Sequence, residues 1–141
     1  MKKLLFIALF ALVASFSYSQ DMGSPIPLSK NEVNVDLAVF AWDGQSHDFG
    51  KVKQGIPVTH EFKFTNAGKV PLLIINAQPS CGCTTPDWTK VPVPPGGSGF
   101  IKATFNAASP GAFDKTITVT ANVENGMVPL KIKGEVVVVA Q

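Results

Sequence analysis

The feature that most constrains this chain is a two-residue alternation that keeps stopping at glycine and proline. Val58, His60, Phe62 and Phe64 alternate with Thr59, Glu61, Lys63 and Thr65. Side chains that switch face at every residue belong to an extended strand with one side buried. The pattern returns downstream. Ile101, Ala103 and Phe105 share a face, and Phe113, Ile117, Val119 and Ala121 do so opposite Thr116, Thr118 and Thr120. Val128, Leu130, Ile132, Val136 and Val138 form a last stripe, with Lys131 and Lys133 outward. Upstream, residues 31–40 alternate with Val33, Val35, Leu37 and Val39 on one side. Leu72 to Ala77 is a denser apolar run, which suits a central strand covered on both faces.

Turn signals separate these segments: Asp43-Gly44, Gly55-Ile56-Pro57, Asn66-Ala67-Gly68, Pro94-Pro95-Gly96-Gly97, Ser109-Pro110-Gly111 and Asn125-Gly126. The Asn66–Gly68 turn is expected to need a positive φ, and Asn125-Gly126 reads as a hairpin. No stretch carries a sustained 3.6-residue stripe with caps. About seven short strands, one every ten residues or so, predict an all-β fold, an immunoglobulin-like antiparallel β-sandwich. Phe49, Phe62, Phe64, Phe100, Phe105 and Phe113 are expected to fill its core. Trp42 and Trp88 lie beside turn residues and read as caps on the ends of the sandwich, with a sugar- or peptide-stacking surface as the other reading.

The first residues read as an address. Lys2 and Lys3 precede an apolar run from Leu4 to Val13, and Ser17-Tyr18-Ser19 places small residues at the expected cleavage positions. That is the layout of a secretory signal peptide over 1–19. The run is too short for a bilayer span, which takes about 20 residues. A polar, Pro-bearing lead-in over 20–31 would follow, and then a single domain over 32–141. The expected destination is the periplasm or the cell exterior, with no membrane anchor after cleavage.

Composition then removes several function classes. All twelve basic residues are Lys, and without Arg the chain lacks the preferred fork for phosphate and guanine, so no nucleic-acid partner is expected. Two of the Lys lie in the leader, and the remaining ten face ten acidic residues. Electrostatic steering toward a highly charged partner is therefore not expected. There is no phosphate loop, nucleophile elbow or paired-carboxylate signature. Asp87 beside Trp88 reads as a turn aspartate. His60 lies on the apolar face of its strand and reads as a core histidine, and His47 beside Asp48 reads as exposed. No catalytic residue is assigned, and the chain is not expected to be an enzyme.

Cys81 and Cys83, in Ser80-Cys81-Gly82-Cys83-Thr84, are the one chemical feature. In an extended strand residues i and i+2 lie about 6.6–6.8 Å apart, the upper edge of what a disulfide tolerates. A turn at Gly82 would bring them closer. A staple over so short a loop contributes roughly 1.6 kcal/mol in the chain-entropy model. Four readings follow: a local structural disulfide, a redox-active dithiol, capture of Cu(I) by two thiolates, and disulfides to a partner or second copy. Zinc would need two further ligands, and only His47 and His60 are on hand.

An ordered set of motifs carries a resemblance. His47-Asp48-Phe49-Gly50-Lys51-Val52, Phe62-Lys63-Phe64-Thr65-Asn66-Ala67-Gly68, Pro71-Leu72-Leu73-Ile74 and the Cys-Gly-Cys segment come in sequence. Pro94-Pro95-Gly96, Gly111 to Ile117 and Leu130-Lys131-Ile132-Lys133-Gly134 follow. The chain resembles the domain of unknown function 1573 family of secreted bacterial proteins. The resemblance implies an immunoglobulin-like sandwich similar to major sperm protein and pilus-chaperone domains, in a Gram-negative envelope. It implies no activity, and Cys81 and Cys83 match the family motif without an assigned role. The expected function is an exported, non-catalytic binding or scaffold module of the bacterial envelope. It would bind an envelope protein through an edge strand, with residues 31–40 the leading candidate edge. The alternative is a thiol-based redox or Cu(I)-handling site at Cys81 and Cys83.

Overall fold

The computed structural model describes residues 36–140. The expected signal peptide over 1–19, the expected lead-in over 20–31, Val33 and Val35 lie outside the described residues. Eight strands follow in order, with no helix among the described residues: β1 (Phe40–Trp42), β2 (Ser46–Lys53), β3 (Val58–Asn66), β4 (Ile74–Pro79), β5 (Thr84–Trp88), β6 (Ser98–Phe105), β7 (Gly111–Ala121) and β8 (Met127–Val137). They form two four-stranded sheets, β1-β3-β6-β5 and β2-β8-β7-β4. All pairs are antiparallel except β2–β8, which is parallel. No hairpin joins β2 to β8, so no tight turn dictates their relative direction.

The core lies between the sheets. Phe62 and Phe64 of β3, with Ile101, Ala103 and Phe105 of β6, face Phe113, Ile117 and Val119 of β7 and Leu130, Ile132 and Val136 of β8. Phe105 and Phe113 stack across the gap, centroids 4.0 Å apart. These are the alternating stripes of the sequence, packed inward as read.

Four expectations change. Phe100 is half-buried, because its neighbour Ile101 takes the inward phase. Adjacent apolar residues on a strand cannot both face the core. Val138 lies past the end of β8 and is exposed. In the stretch up to Phe40 the inward residue is Ala38, while Leu37 and Val39 are 37% and 48% exposed. Its phase is set downstream, where Phe40 and Trp42 pack against Phe64 (centroids 4.8 and 5.2 Å). The small Ala38 then nests against the backbone, bridging to Val123. The Leu72–Ala77 run is not a central strand: β4 ends its sheet among the described residues, and Leu73 just before it and Ile75 within it are exposed.

The turn after β3 also differs in its physics. Gly68 adopts no positive φ. It is needed for space instead: a Cβ there would lie 2.7 Å from Leu37 O and Val39 N. The side chain that organises this turn is Asn66, wholly buried. Its Nδ2 donates to Val70 O (2.7 Å) and Val93 O (3.0 Å), and its Oδ1 accepts from Gly68 N (2.9 Å) and Val39 N (3.4 Å).

Candidate functional site

Among the described residues the two open sheets have four edge strands, and sheet edges are where a sandwich meets other chains. Three of the four are guarded. β1 is only three residues long. β5, which the sequence reading did not identify as a strand, carries Pro86 at its centre, a residue that edge positions tolerate. β2 carries Asp48, Lys51 and Lys53 and has a bulge between Asp48 and Lys51. β4, Ile74-Ile75-Asn76-Ala77-Gln78-Pro79, has no charge. Its one irregularity is a bulge between Ile74 and Asn76, which leaves Ile75 64% exposed.

β4 leads directly into the cysteine loop. Pro79 ends the strand, and Ser80–Cys83 carries the chain from one sheet to the other. Ser80 N donates to Thr116 O (2.8 Å), and Ser80 Oγ accepts from Thr116 N (3.2 Å). Beyond the turn, Asn106 N donates to Cys83 O (3.0 Å). Between these anchors Gly82 sits at an exposed tip, and the Cα atoms of Cys81 and Cys83 come within 5.3 Å, joined by a disulfide. The turn thus brings together what a straight strand would hold apart. Both cysteines are half-buried, and Cys83 packs against the core. Copper capture requires thiolates, so the Cu(I) reading applies only to the reduced pair. Among the described residues no group of three or more His, Cys, Asp or Glu is placed to hold a metal ion.

His47 is not simply exposed. It lies on β2, half-buried, with its ring stacked on that of His60 from β3 at 3.7 Å and 7°. Phe49 meets His47 edge-on at 4.6 Å, and Phe62 does the same to His60. The histidines therefore tie one sheet to the other at the rim of the core. Parallel rings aim their nitrogen lone pairs in parallel planes, not at a common point, so this is a packing contact. Burial pushes the pKa of His60 below its ordinary 6.5, the charge of His47 lowers it further, and Glu61 pulls the other way. The neutral imidazole is thus the form the fold prefers. Stability is expected to be full above pH 6.5 and to fall as pH drops, since the unfolded chain takes up the proton first. Urea midpoints at about pH 7.5 and about pH 5 should show this loss, and His60→Phe should remove most of the slope. An unchanged slope in that variant would assign the effect elsewhere.

The remaining candidates make local contacts. Trp42 stacks on Phe40 at 4.5 Å. Trp88 lies under Lys90 Nζ, 3.0 Å from the ring centroid, and Asp87 Oδ1 is 3.6 Å from the same ammonium. Asp87 Oδ1 also accepts from Trp88 N (2.9 Å).

A family model described as a protein of unknown function, DUF1573, matches residues 40–136. That span runs from the start of β1 to the last residue but one of β8. The chain belongs to the DUF1573 family. No curated protein matches it in sequence. Among solved structures, a protein of unknown function from Porphyromonas gingivalis W83 is similar at a TM-score of 0.63 and 18% identity, over 70% of this chain and 47% of that one. The secreted serine protease VesC from Vibrio cholerae is similar at 0.57 and 16%, over 72% and 24%. The ASH / PapD-like domain of human CEP192 matches at 0.58 and 11%, over 74% and 89%. This DUF1573 chain spans less than half the length of the first two, and at these identities the likeness is one of fold. It places the sandwich among immunoglobulin-like and PapD-like domains.

Proposed function

We propose that this DUF1573 protein is an exported, non-catalytic binding module of the bacterial envelope. Its partner is an envelope protein that adds an extended segment along the β4 edge. The carrying observation is that β4 alone of the four edges is longer than three residues and free of charge, with its one proline, Pro79, at its very end rather than at its centre. A partner strand would gain main-chain hydrogen bonds along β4 and an apolar contact at Ile75. The signal-peptide layout supports an extracytoplasmic setting, and the absence of Arg argues against a nucleic-acid partner. The edge differs from the one read first, residues 31–40, of which only Phe40 belongs to a strand among the described residues. A copper or redox role at Cys81 and Cys83 would require the bridge to open.

A photo-crosslinking residue at position 75, in cells producing the full chain, should join a discrete envelope protein. The same residue at Thr104, on the outer face of β6, should not. Ile75→Lys should lower partner recovery at least tenfold while leaving thermal stability nearly unchanged, because the side chain is exposed. Equal crosslinking at both positions would rule out the β4 edge.

A further inference from the structure

β4 is shorter than the strand it pairs with. Its last partner on β7 is Ile117, with Ser80 extending the contact to Thr116. From Gly111 to Lys115, β7 pairs with β8 on one side and with no strand on the other among the described residues. An open groove of about 240 Å³ runs beside this stretch, lined by Phe105, Pro110, Phe113, Lys115 and Cys83. Lys115 is on the inward phase of β7, the phase of Ile117 and Val119, and supplies the only charge in the lining. Cys83 therefore faces the groove that an added strand would fill. On the other sulfur, Cys81 Sγ lies 3.9 Å from the hydroxyl of Thr84, which is itself 3% exposed.

We propose that Cys81–Cys83 is a thiol–disulfide exchange site whose substrate is an extended polypeptide segment bearing a cysteine pair, docked along Gly111–Lys115. This goes beyond the β4 reading and does not depend on it, since docking uses a different strand. One substrate thiol gives its proton to solvent, and its thiolate, favoured by the Lys115 ammonium, attacks Cys83 Sγ. The Cys81–Cys83 bond breaks, and Cys81 Sγ leaves as a thiolate that accepts a hydrogen bond from Thr84 Oγ1 before taking up a proton. The second substrate thiolate then attacks its own sulfur in the mixed disulfide and releases Cys83 as a thiolate. Two electrons pass from substrate to protein: the substrate dithiol becomes a disulfide, and the Cys81–Cys83 bridge becomes two thiols. Because the bridge closes over a single residue, opening it frees little of the chain.

The test mixes the oxidised full chain, without air, with a reduced peptide of alternating apolar sequence bearing two cysteines. Intact mass after alkylation reads both partners. The expected result is one peptide oxidised per protein, two alkylatable cysteines in the protein, and a rate at least tenfold above that of oxidised glutathione at equal concentration. Lys115→Gln should slow this about fivefold. With the peptide supplied as its disulfide, Cys81→Ser should accumulate a mixed disulfide at Cys83, and Cys83→Ser at least tenfold less at Cys81. A rate no greater than that of glutathione overturns the site, as does a closed bridge beside a peptide that stays reduced. Equal trapping in the two variants overturns the choice of Cys83. Crosslinking at position 75 reads the β4 proposal separately, so failure of one leaves the other standing.

Discussion

Replacing Asn66 with Asp is expected to destabilise the domain by more than 3 kcal/mol, the largest effect of any single change considered for this fold. The amide uses both ends of its hydrogen-bonding capacity. Nδ2 donates to two carbonyls and Oδ1 accepts from two backbone N–H groups, while the backbone of the same residue bonds Gly97 O and Gly96 N. One residue thus joins three segments: the approach to β1 at Val39, the turn at Gly68–Val70, and the loop at Val93–Gly97. An aspartate would place a carboxylate oxygen where Nδ2 now meets two carbonyl oxygens. The charge would have no compensating donor there and no access to water.

Asn66→Ala separates the two parts of that loss. It introduces no charge but leaves the Gly68 and Val39 amides and the Val70 carbonyl without this partner, at about 1–3 kcal/mol for each group left truly unsatisfied. About 3 kcal/mol overall corresponds to a fall in melting temperature of more than 10 °C for a domain of this size. Thermal unfolding of the two variants measures both effects. A shift below about 3 °C in Asn66→Ala would mean that water replaces the amide and that the hub is dispensable.

The contrast between Asn66 and its neighbours shows how much of this molecule was legible in the sequence. Phe62, Ile101, Ile117 and Leu130 were readable as core because burial on one face of a strand imposes a period of two. Asn66 was readable only as a turn residue, since the same type serves an exposed turn and a buried junction; what distinguishes them is three distant backbone segments. Phe40 and Trp42 set the phase for Ala38 against a more regular stripe of Leu37 and Val39, because two aromatic rings on Phe64 outweigh partial exposure of two aliphatic side chains. β5 was hidden by Pro86 and Asp87, which read as loop until an edge position is known. In the candidate sites, the sequence left four readings of the cysteine pair open, while the closeness of Cys81 and Cys83 was legible because it is local. The His47–His60 stack and the groove joining Cys83 to Lys115 were not, because each unites residues from both sheets.

Gly134→Ala should likewise destabilise, by about 2 kcal/mol, and Gly134→Val by about 3. The sign is informative because local propensity predicts the reverse: glycine inside a strand normally weakens it by roughly 0.5–1 kcal/mol relative to alanine. Here close approach outweighs propensity. A Cβ at Gly134 would lie 2.8 Å from Gly50 O and 2.9 Å from Phe113 Cζ. Gly50 belongs to the bulge where β2 shifts register against β8, and Phe113 is the β7 residue opposite Gly134, buried and stacked on Phe105. Neither neighbour is the free end of a flexible chain. The backbone of β2 must lift or the Phe113 ring must leave its stack. Lifting β2 would draw His47 off His60 and open the rim between the sheets, so amide exchange in Ser46–Lys53 should accelerate before global unfolding. Loss of protection confined to β2 would identify the bulge as the part that yields, and loss across β6 and β7 would identify the Phe105–Phe113 stack. A higher melting temperature for Gly134→Ala would show instead that the strand relaxes around the methyl and that propensity decides at this position.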